Sequence, residues 1–193
     1  MEKLFLPKKA KAQGEVIIPG SKSISNRILL LAAMTEGETL IHNLLKSDDT
    51  ERMLEALTQL GIKVNLVDEA TRTFRAKGSG TGFPNKKADL FLGNAGTAFR
   101  SLTAALAING GEYELSGIPR MHERPIKDLV DALQALGFEI DYLGNAGYPP
   151  LKVGGGSLQK HQVSIKGNVS SQYLTALLMT LPKLQQKIEI VID

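Results

Sequence analysis

Short stretches of alternating apolar and polar residues recur along this chain, separated by longer stretches with helical periodicity. Alternation with a period of two is typical of half-buried strands, whereas apolar residues three or four positions apart are typical of amphipathic helices. The pattern predicts strands over 15–18, 39–42, 63–67, 72–76, 112–115, 139–142 and 162–165. It predicts helices over 25–34, 48–60, 97–108, 126–136 and 171–181. This mixture indicates an α/β (α+β) fold.

Polar residues and glycines mark the ends of the predicted elements. Asp48 and Glu51 have the spacing of a capping box, and Gly61 and Gly137 follow the last residues of two helices. The glycine clusters at 78–82 and 154–156 are expected to form turns between strands, because glycine readily adopts positive φ.

The sequence contains an internal repeat. Residues 54–61 resemble residues 130–137 at an offset of 76, and Gly37-Glu38 matches Gly111-Glu112 at an offset of 74. Residues 102–106 recur as residues 174–178, at an offset of 72. Each unit reads helix, strand, helix and then two strands, and the third unit stops after one helix and one strand. We therefore expect two complete units and part of a third, in a chain that is cut short.

Composition excludes several classes of function. The 193 residues carry a formal charge of +3, no cysteine and only 5% aromatic residues. Thiol chemistry and disulfides are therefore excluded, and scattered basic residues with few aromatics argue against nucleic-acid binding. The longest apolar stretch, 28–34, is too short to span a membrane, and the N-terminus lacks the apolar core of a signal peptide. No metal-ligand spacing is found either. From the missing cysteines, the missing signal peptide and the scattered charge, we expect a cytoplasmic protein without a membrane or nucleic-acid partner.

The first candidate site is the turn 19–23, which follows a predicted strand and opens a helix. Lys22, Ser23 and backbone N–H groups converge there, and Arg27 lies one helical turn beyond Ser23, which is the chemistry of an anion site. The alternative is a capped helix with solvated basic side chains. The glycine spacing does not fit a nucleotide P-loop.

Three further turns carry similar chemistry. The turn 92–97 allows close backbone approach at Gly96, and Asn94 or Thr97 can cap the following helix, although a simple tight turn is the alternative. The loop 119–125 holds Arg124 between two prolines. The turn 167–172 ends in Ser170, Ser171 and Gln172. The three repeats thus place turns that are suited to phosphate binding at equivalent positions. The glycine cluster 78–82 precedes no predicted helix, so we reject a dinucleotide-binding site there.

Four motifs in order resemble the 5-enolpyruvylshikimate-3-phosphate synthase family: PGSKSISNR at 19–27, LFLGNAGTAFR at 90–100, RMHERPI at 120–126 and NVSSQYLTALLM at 168–179. The resemblance implies the enolpyruvyl transferase fold, with two domains of three βαβαββ units each and helix N-termini facing the cleft between them. It implies transfer of the enolpyruvyl group of phosphoenolpyruvate to the 5-hydroxyl of shikimate 3-phosphate, with release of phosphate and no cofactor.

The resemblance also assigns roles to individual residues. It implies that Lys22 is catalytic and contacts both substrates, and that Gln172 lies between them. The other shikimate 3-phosphate ligands that it implies are Ser23, Arg27, Ser170 and Ser171. The other phosphoenolpyruvate ligands that it implies are Asn94, Gly96 and Arg124.

Two departures from the family pattern stand out. Ser101 replaces a proline found in many members, which is expected to affect the phosphoenolpyruvate pocket or sensitivity to the inhibitor glyphosate. The acidic general base and further basic residues of the family lie beyond residue 193. We therefore expect the N-terminal portion of the enzyme, inactive without the C-terminal domain, and monomeric. Residues 1–15 are expected to pack on that missing domain, and 16–193 to form the shikimate 3-phosphate-binding domain.

Two alternatives remain. The chain could be a fragment of a UDP-N-acetylglucosamine enolpyruvyl transferase, although that family usually carries a cysteine in its phosphoenolpyruvate loop. It could also be a non-catalytic module that binds phosphorylated metabolites.

Overall fold

A computed structural model describes residues 3–5, 7–8, 11, 13–16, 18–80, 82–166 and 170–193. The helices are α1 (Lys22–Met34), α2 (Asp48–Gln59), α3 (Gly96–Asn109), α4 (Lys127–Leu136) and α5 (Ser171–Thr180). The strands are β1 (Glu36–Ile41), β2 (Lys63–Asp68), β3 (Thr73–Ser79), β4 (Lys87–Phe91), β5 (Glu112–Ser116), β6 (Phe138–Tyr142), β7 (Leu151–Gly156), β8 (Gln162–Ile165) and β9 (Glu189–Ile192). Short 3₁₀ helices span Met121–Glu123 and Leu181–Leu184.

The strands form three sheets that follow the repeat. The first sheet has the order β1-β3-β2 and is antiparallel, and the second has the order β4-β5-β7-β6, with β4 and β5 parallel. The third sheet is the parallel pair β8-β9. The second unit is thus a complete βαβαββ unit, and β8-α5-β9 is the beginning of another. The α/β prediction is confirmed.

The first unit differs because its predicted opening strand is absent from the described residues 15, 16 and 18, which lie outside regular structure. Val16 and Ile18 are 84% and 75% exposed. In the second unit, β5 occupies the position that β1 has in the first unit, and β4 pairs in parallel with its outer edge. The corresponding edge of β1 has no described partner strand. Alternation alone does not form a strand, since a strand needs a neighbour for its backbone hydrogen bonds.

Helix α3 forms the centre of the molecule. Its residues from Gly96 to Ala107 are all buried, because the helix packs against α1, α2, α4 and α5. A helix buried on every side needs small and apolar residues around its whole circumference, which its alanine-rich and leucine-rich sequence provides. By contrast, α2 and α4 each bury one stripe and expose the opposite face. Among the described residues, no helix is long and apolar enough to cross a membrane.

The helices α1 and α5 both pack against α3. The C-terminal ends of all three helices meet around one cavity of about 370 Å³, lined by Met34 at the end of α1, Ile108 near the end of α3 and Lys183 beyond α5. The Lys183 ammonium donates to the carbonyl oxygen of Met34 at 3.1 Å and also to that of Gly80. The N-terminal ends of the three helices therefore lie toward the opposite end of the molecule.

Several predicted boundaries need correction. The capping box of α2 is formed by Ser47 and Thr50 rather than by Asp48 and Glu51, because the Ser47 hydroxyl accepts from the Thr50 N–H and the Thr50 hydroxyl accepts from the Ser47 N–H. The glycines 154–156 belong to β7, where Gly155 packs closely on the backbone of Gly110. Glycine there permits contact between two segments of backbone rather than a turn.

Candidate active site

The beginning of α3 lacks a side-chain cap. Its N-cap is Ala95, and neither Asn94 nor Thr97 caps it as expected. Gly96 donates its N–H to the Asn94 carbonyl at 2.9 Å, while Thr97 and Ala98 occupy first-turn positions whose N–H groups have no acceptor within the helix. Both residues are nearly inaccessible. A buried helix N-terminus without a cap is suited to bind an anion, since its N–H groups and dipole favour negative charge.

Arg124 lies against this helix start. Its Nη1 donates to the Asn94 carbonyl oxygen at 3.0 Å and to the Asn94 Oδ1 at 3.3 Å. A Cβ added at Gly96 would lie only 2.4 Å from the Arg124 Nη2, so this position requires glycine for the present placement of the guanidinium. The neighbouring Glu123 pairs with Arg120 instead. The structure thus brings Asn94, Gly96 and Arg124 together.

The beginning of α1 presents the second set of cations. The Ser21 hydroxyl caps the helix by accepting from the Ile24 N–H at 3.4 Å, so α1 begins three residues earlier than expected. Lys22 is half-exposed, and its Nζ lies 3.4 Å from Asp49 Oδ2. Ser23 and Arg27 are partly buried. No carboxylate among the described residues lies within ion-pair distance of Arg27.

The first turn of α2 connects these two regions. Asp49 in this turn pairs with Lys22, and Arg52 one turn further packs over the ring of Phe91, with its Cζ 5.3 Å from the ring centroid. Both Arg52 and Asp48 also approach Gly93, the turn glycine before α3. The N-terminal ends of α1 and α3 therefore both lie beside the beginning of α2.

The beginning of α5 contributes hydroxyl and amide groups. Ser170 is the N-cap, and its Oγ accepts from the Gln172 N–H at 3.2 Å, which leaves the hydroxyl proton free to donate to a ligand. Ser171 is exposed and Gln172 is half-buried. The preceding part of this predicted turn, residues 167–169, lies outside the described residues.

Buried polar atoms without hydrogen-bond partners concentrate at these helix starts. The described residues contain eight such side-chain atoms, and five of them belong to Asn26, Arg27, Arg100 and Gln172. All four residues lie in the first two turns of α1, α3 or α5. Leaving a buried donor or acceptor unpaired costs free energy, so native proteins retain such groups mainly where a ligand or water pairs with them. The unpaired atoms therefore mark the same end of the molecule as the uncapped α3.

Asn26 provides a stability test of this interpretation. It is fully buried, and neither atom of its amide has a partner. Replacing it with leucine, which has the same branched shape, is expected to increase the free energy of unfolding by about 1 kcal/mol, because the unpaired polar group is removed. The measurement is the urea midpoint at constant m-value. The exposed Asn145→Leu serves as a control with little change, and a lower midpoint for Asn26→Leu would contradict the interpretation.

Arg100 and Tyr173 were not among the site residues predicted from the sequence. Arg100 is only 6% exposed, has no carboxylate partner among the described residues and packs over the Tyr173 ring at 5.6 Å. Burial lowers the pKa of Arg100, and burial raises the pKa of the Tyr173 hydroxyl despite the nearby guanidinium. A signal for Arg100 was available, because residues 19–27 align with residues 92–100 without a gap, pairing Arg27 with Arg100. Ser101, the next residue, is buried within α3.

Three helix N-termini, several hydroxyl groups and three arginines without a carboxylate partner among the described residues (Arg27, Arg100 and Arg124) lie toward one end of the repeated units. This arrangement is the one expected of an α/β protein that binds anions. Comparison with known proteins identifies the family. A family model described as EPSP synthase (3-phosphoshikimate 1-carboxyvinyltransferase) matches residues 6–193, and the chain therefore belongs to the EPSP synthase family.

Curated relatives and solved structures agree with this assignment. The chain is 60% identical over 185 residues to the 3-phosphoshikimate 1-carboxyvinyltransferase of Bordetella pertussis, covering 95% of this chain and 41% of that protein. The protein of the same name from Neisseria gonorrhoeae is 57% identical over 190 residues, covering 98% and 43%. A structure of EPSP synthase from Acinetobacter baumannii superposes with a TM-score of 0.76 at 25% identity, covering 86% and 37%. The chain thus spans about two fifths of the length of these relatives.

Proposed function

We propose that this chain forms the shikimate 3-phosphate-binding part of an enzyme that transfers the enolpyruvyl group of phosphoenolpyruvate to the 5-hydroxyl of shikimate 3-phosphate and releases phosphate. The observation that carries the proposal is the convergence of an uncapped, buried helix N-terminus with Arg124, which has no carboxylate partner among the described residues. Both substrates are anions. Family membership supports this reaction over other reactions of phosphorylated metabolites.

The proposal divides the cations between the two substrates. Lys22, Arg27 and the hydroxyl of Ser23 bind the phosphate of shikimate 3-phosphate, together with the hydroxyls of Ser170 and Ser171. Arg27 is suited to this role because it is partly buried and has an unpaired Nε. Lys22 exchanges its exposed contact with Asp49 for a doubly charged ligand, a change that Coulomb attraction favours.

Phosphoenolpyruvate occupies the side of the site formed by α3. Arg124 and Asn94 bind it beside Gly96, where the absence of a side chain lets the ligand approach the free N–H groups of Thr97 and Ala98. Gln172 reaches both substrates, and its unpaired Oε1 accepts from a ligand hydroxyl. Lys22 also reaches phosphoenolpyruvate and stabilises the charge that develops during addition of the hydroxyl.

The remaining chemistry consists of two proton transfers. Addition to phosphoenolpyruvate needs a proton at its methylene carbon and a base for the attacking hydroxyl. We propose that the acid and base lie in the part of the family's proteins that this chain does not cover. The segment 1–15 packs on that part, as the 86% and 88% exposure of Leu4 and Phe5 suggests. We accordingly expect no turnover from this chain alone.

A calorimetric titration of the chain tests the proposal. Shikimate 3-phosphate is expected to bind saturably, whereas shikimate, which lacks the phosphate, is expected to bind at least about 100-fold more weakly because the charge-assisted contacts are lost. UDP-N-acetylglucosamine tests the other enolpyruvyl transferase and is expected not to bind. Equal affinities for shikimate and shikimate 3-phosphate would refute the phosphate site.

A chimera tests the reaction itself. This chain is fused to the part of the Bordetella pertussis relative that it does not match, and release of phosphate from the two substrates is followed. Turnover by the chimera, with none from the chain alone, supports the proposal. A folded chimera that binds shikimate 3-phosphate without turnover would favour a non-catalytic binding module.

A further inference from the structure

One backbone carbonyl receives two side-chain donors from different helices. The Pro125 carbonyl oxygen accepts from Arg100 Nη2 at 2.9 Å and from the Tyr173 hydroxyl at 2.6 Å. Arg100 lies in α3 and Tyr173 in α5, and they are 25 and 48 residues from Pro125 along the chain. Pro125 directly follows Arg124. The position of the Arg124 backbone is therefore fixed by contacts from both helices.

Arg100 also holds the beginning of its own helix. Its Nη1 donates to the Gly96 carbonyl oxygen at 3.1 Å, while Nη2 donates to Pro125. One rigid, planar guanidinium thus sets the distance between Gly96 and the peptide that follows Arg124. A lysine ammonium has no such fork and is not expected to maintain both contacts in this geometry.

We propose that Arg100 and Tyr173 are positioning residues for the phosphoenolpyruvate side of the site: together they hold the Pro125 carbonyl so that the Arg124 guanidinium stays beside Gly96 before the ligand arrives. Neither residue needs to touch a substrate in this role. The inference rests on the proposed function for the identity of the ligand, but the placement of Arg124 can be measured without any ligand.

Burial of Arg100 costs free energy. A buried guanidinium without a carboxylate is expensive, and its pKa is lowered by burial and by the nearby positive charge of Arg124. Carbonyl oxygens and the Tyr173 ring offset only part of this cost. An apolar residue would fill the same space without the penalty. Arginine is the residue whose planar fork can donate to the Gly96 and Pro125 carbonyl oxygens at the same time. Holding these two carbonyls in place therefore offsets the cost of burying the guanidinium.

Preorganisation explains why this placement affects binding. Arg124 is a long side chain whose ordering on ligand binding would otherwise reduce affinity. With the backbone held by Pro125 and the guanidinium held by Asn94, the side chain is already in place. Weakening the contacts at Pro125 should therefore reduce affinity for phosphoenolpyruvate while affinity for shikimate 3-phosphate is retained.

The test compares Tyr173→Phe and Arg100→Lys with the control Thr175→Val in the chimera. Thr175 lies in α5, and its hydroxyl donates to the Ser171 backbone carbonyl of its own helix, so the described contacts at Pro125 do not involve it. We expect KM for phosphoenolpyruvate to rise about fivefold in Tyr173→Phe and about tenfold in Arg100→Lys, from the loss of one neutral or one charged hydrogen bond. KM for shikimate 3-phosphate is expected to change less than about twofold in both variants, and the control to match the unaltered chimera.

A second measurement separates this inference from the proposed function. The side-chain NMR signal of Arg124 in the ¹⁵N-labelled chain, assigned with Arg124→Lys, is expected to shift and broaden in Tyr173→Phe and Arg100→Lys without ligand. A shifted signal with no substrate binding by any protein would support positioning and refute the proposed substrate. An unmoved Arg124 signal in both variants would overturn the inference, as would equal increases in both KM values, which would indicate a general structural role.

Discussion

Replacing Lys22 and Arg27 together with alanine is expected to weaken binding of shikimate 3-phosphate by at least about 100-fold. Each side chain supplies a charge-assisted contact worth about 1.5–3 kcal/mol, and each 1.4 kcal/mol corresponds to a tenfold change in affinity. Their loss also leaves the negative charge of Asp49 near the ligand without Lys22 to offset it. Calorimetric titration of the chain provides the measurement.

The double variant should remain folded, so the loss can be attributed to the site. Lys22 is half-exposed, and Arg27 makes no ion pair with a described carboxylate. Asp49 lies in the first turn of α2, where the helix dipole stabilises a carboxylate that has lost its partner.

The matched control for this pair is the double variant Lys63→Ala, Arg75→Ala. It removes the same two charges from exposed positions on the first sheet. Its affinity should stay within about twofold of that of the unaltered chain, since exposed charges at a distance are largely screened by salt. Equal weakening in both double variants would mean that net charge, rather than a built site, attracts the ligand.

Gly96→Ala is expected to raise KM for phosphoenolpyruvate about 10- to 100-fold in the chimera, from the loss of one charge-assisted contact. The new Cβ would lie 2.4 Å from Arg124 Nη2 and 2.7 Å from its Cζ. The end of a long side chain can move away, so stability should change little. Arg124 can move only by giving up its contacts with Asn94, and the methyl group then occupies the approach to the α3 N-terminus.

Gly144→Ala is the matched control for this prediction. Its Cβ would meet only Pro150 Cδ at an ordinary 3.4 Å, in an exposed turn. The thermal midpoint of both variants should stay close to that of the unaltered chimera. An unchanged KM for phosphoenolpyruvate in Gly96→Ala would show that the ligand does not bind between Gly96 and Arg124.

Local sequence was sufficient to predict elements that carry their own signals. The helices α2 and α4 were predicted to within about two residues, because each has an apolar stripe and a glycine after its last residue, Gly61 or Gly137. By contrast, a strand was predicted over 15–18, but the described residues 15, 16 and 18 lie outside regular structure. A strand depends on a neighbouring strand and not only on its own alternation. The glycines of β7 suggested a turn, but Gly155 instead allows the strand to approach the backbone of Gly110.

The candidate site shows a similar division. Cations next to small-residue turns at Lys22, Gly96 and Arg124 are visible in the sequence, and the internal repeat indicates that the turns are equivalent. The contact of Arg100 and Tyr173 with Pro125 is not visible, because the acceptor is a backbone carbonyl far away along the chain and a carbonyl has no identity in the sequence. The sequence also does not show which charged side chains lack a carboxylate partner, because this depends on how the helices pack.

The open edge of β1 has a consequence for handling the protein. Glu36–Ile41 pairs with β3 on one side, and no described strand covers its other side. The N–H and C=O groups along such an edge can template a strand from another molecule, and Leu40 adds an apolar side chain that is 50% exposed. The first unit thus presents an edge that is open to association, and concentrating the protein is expected to favour edge-to-edge pairing there.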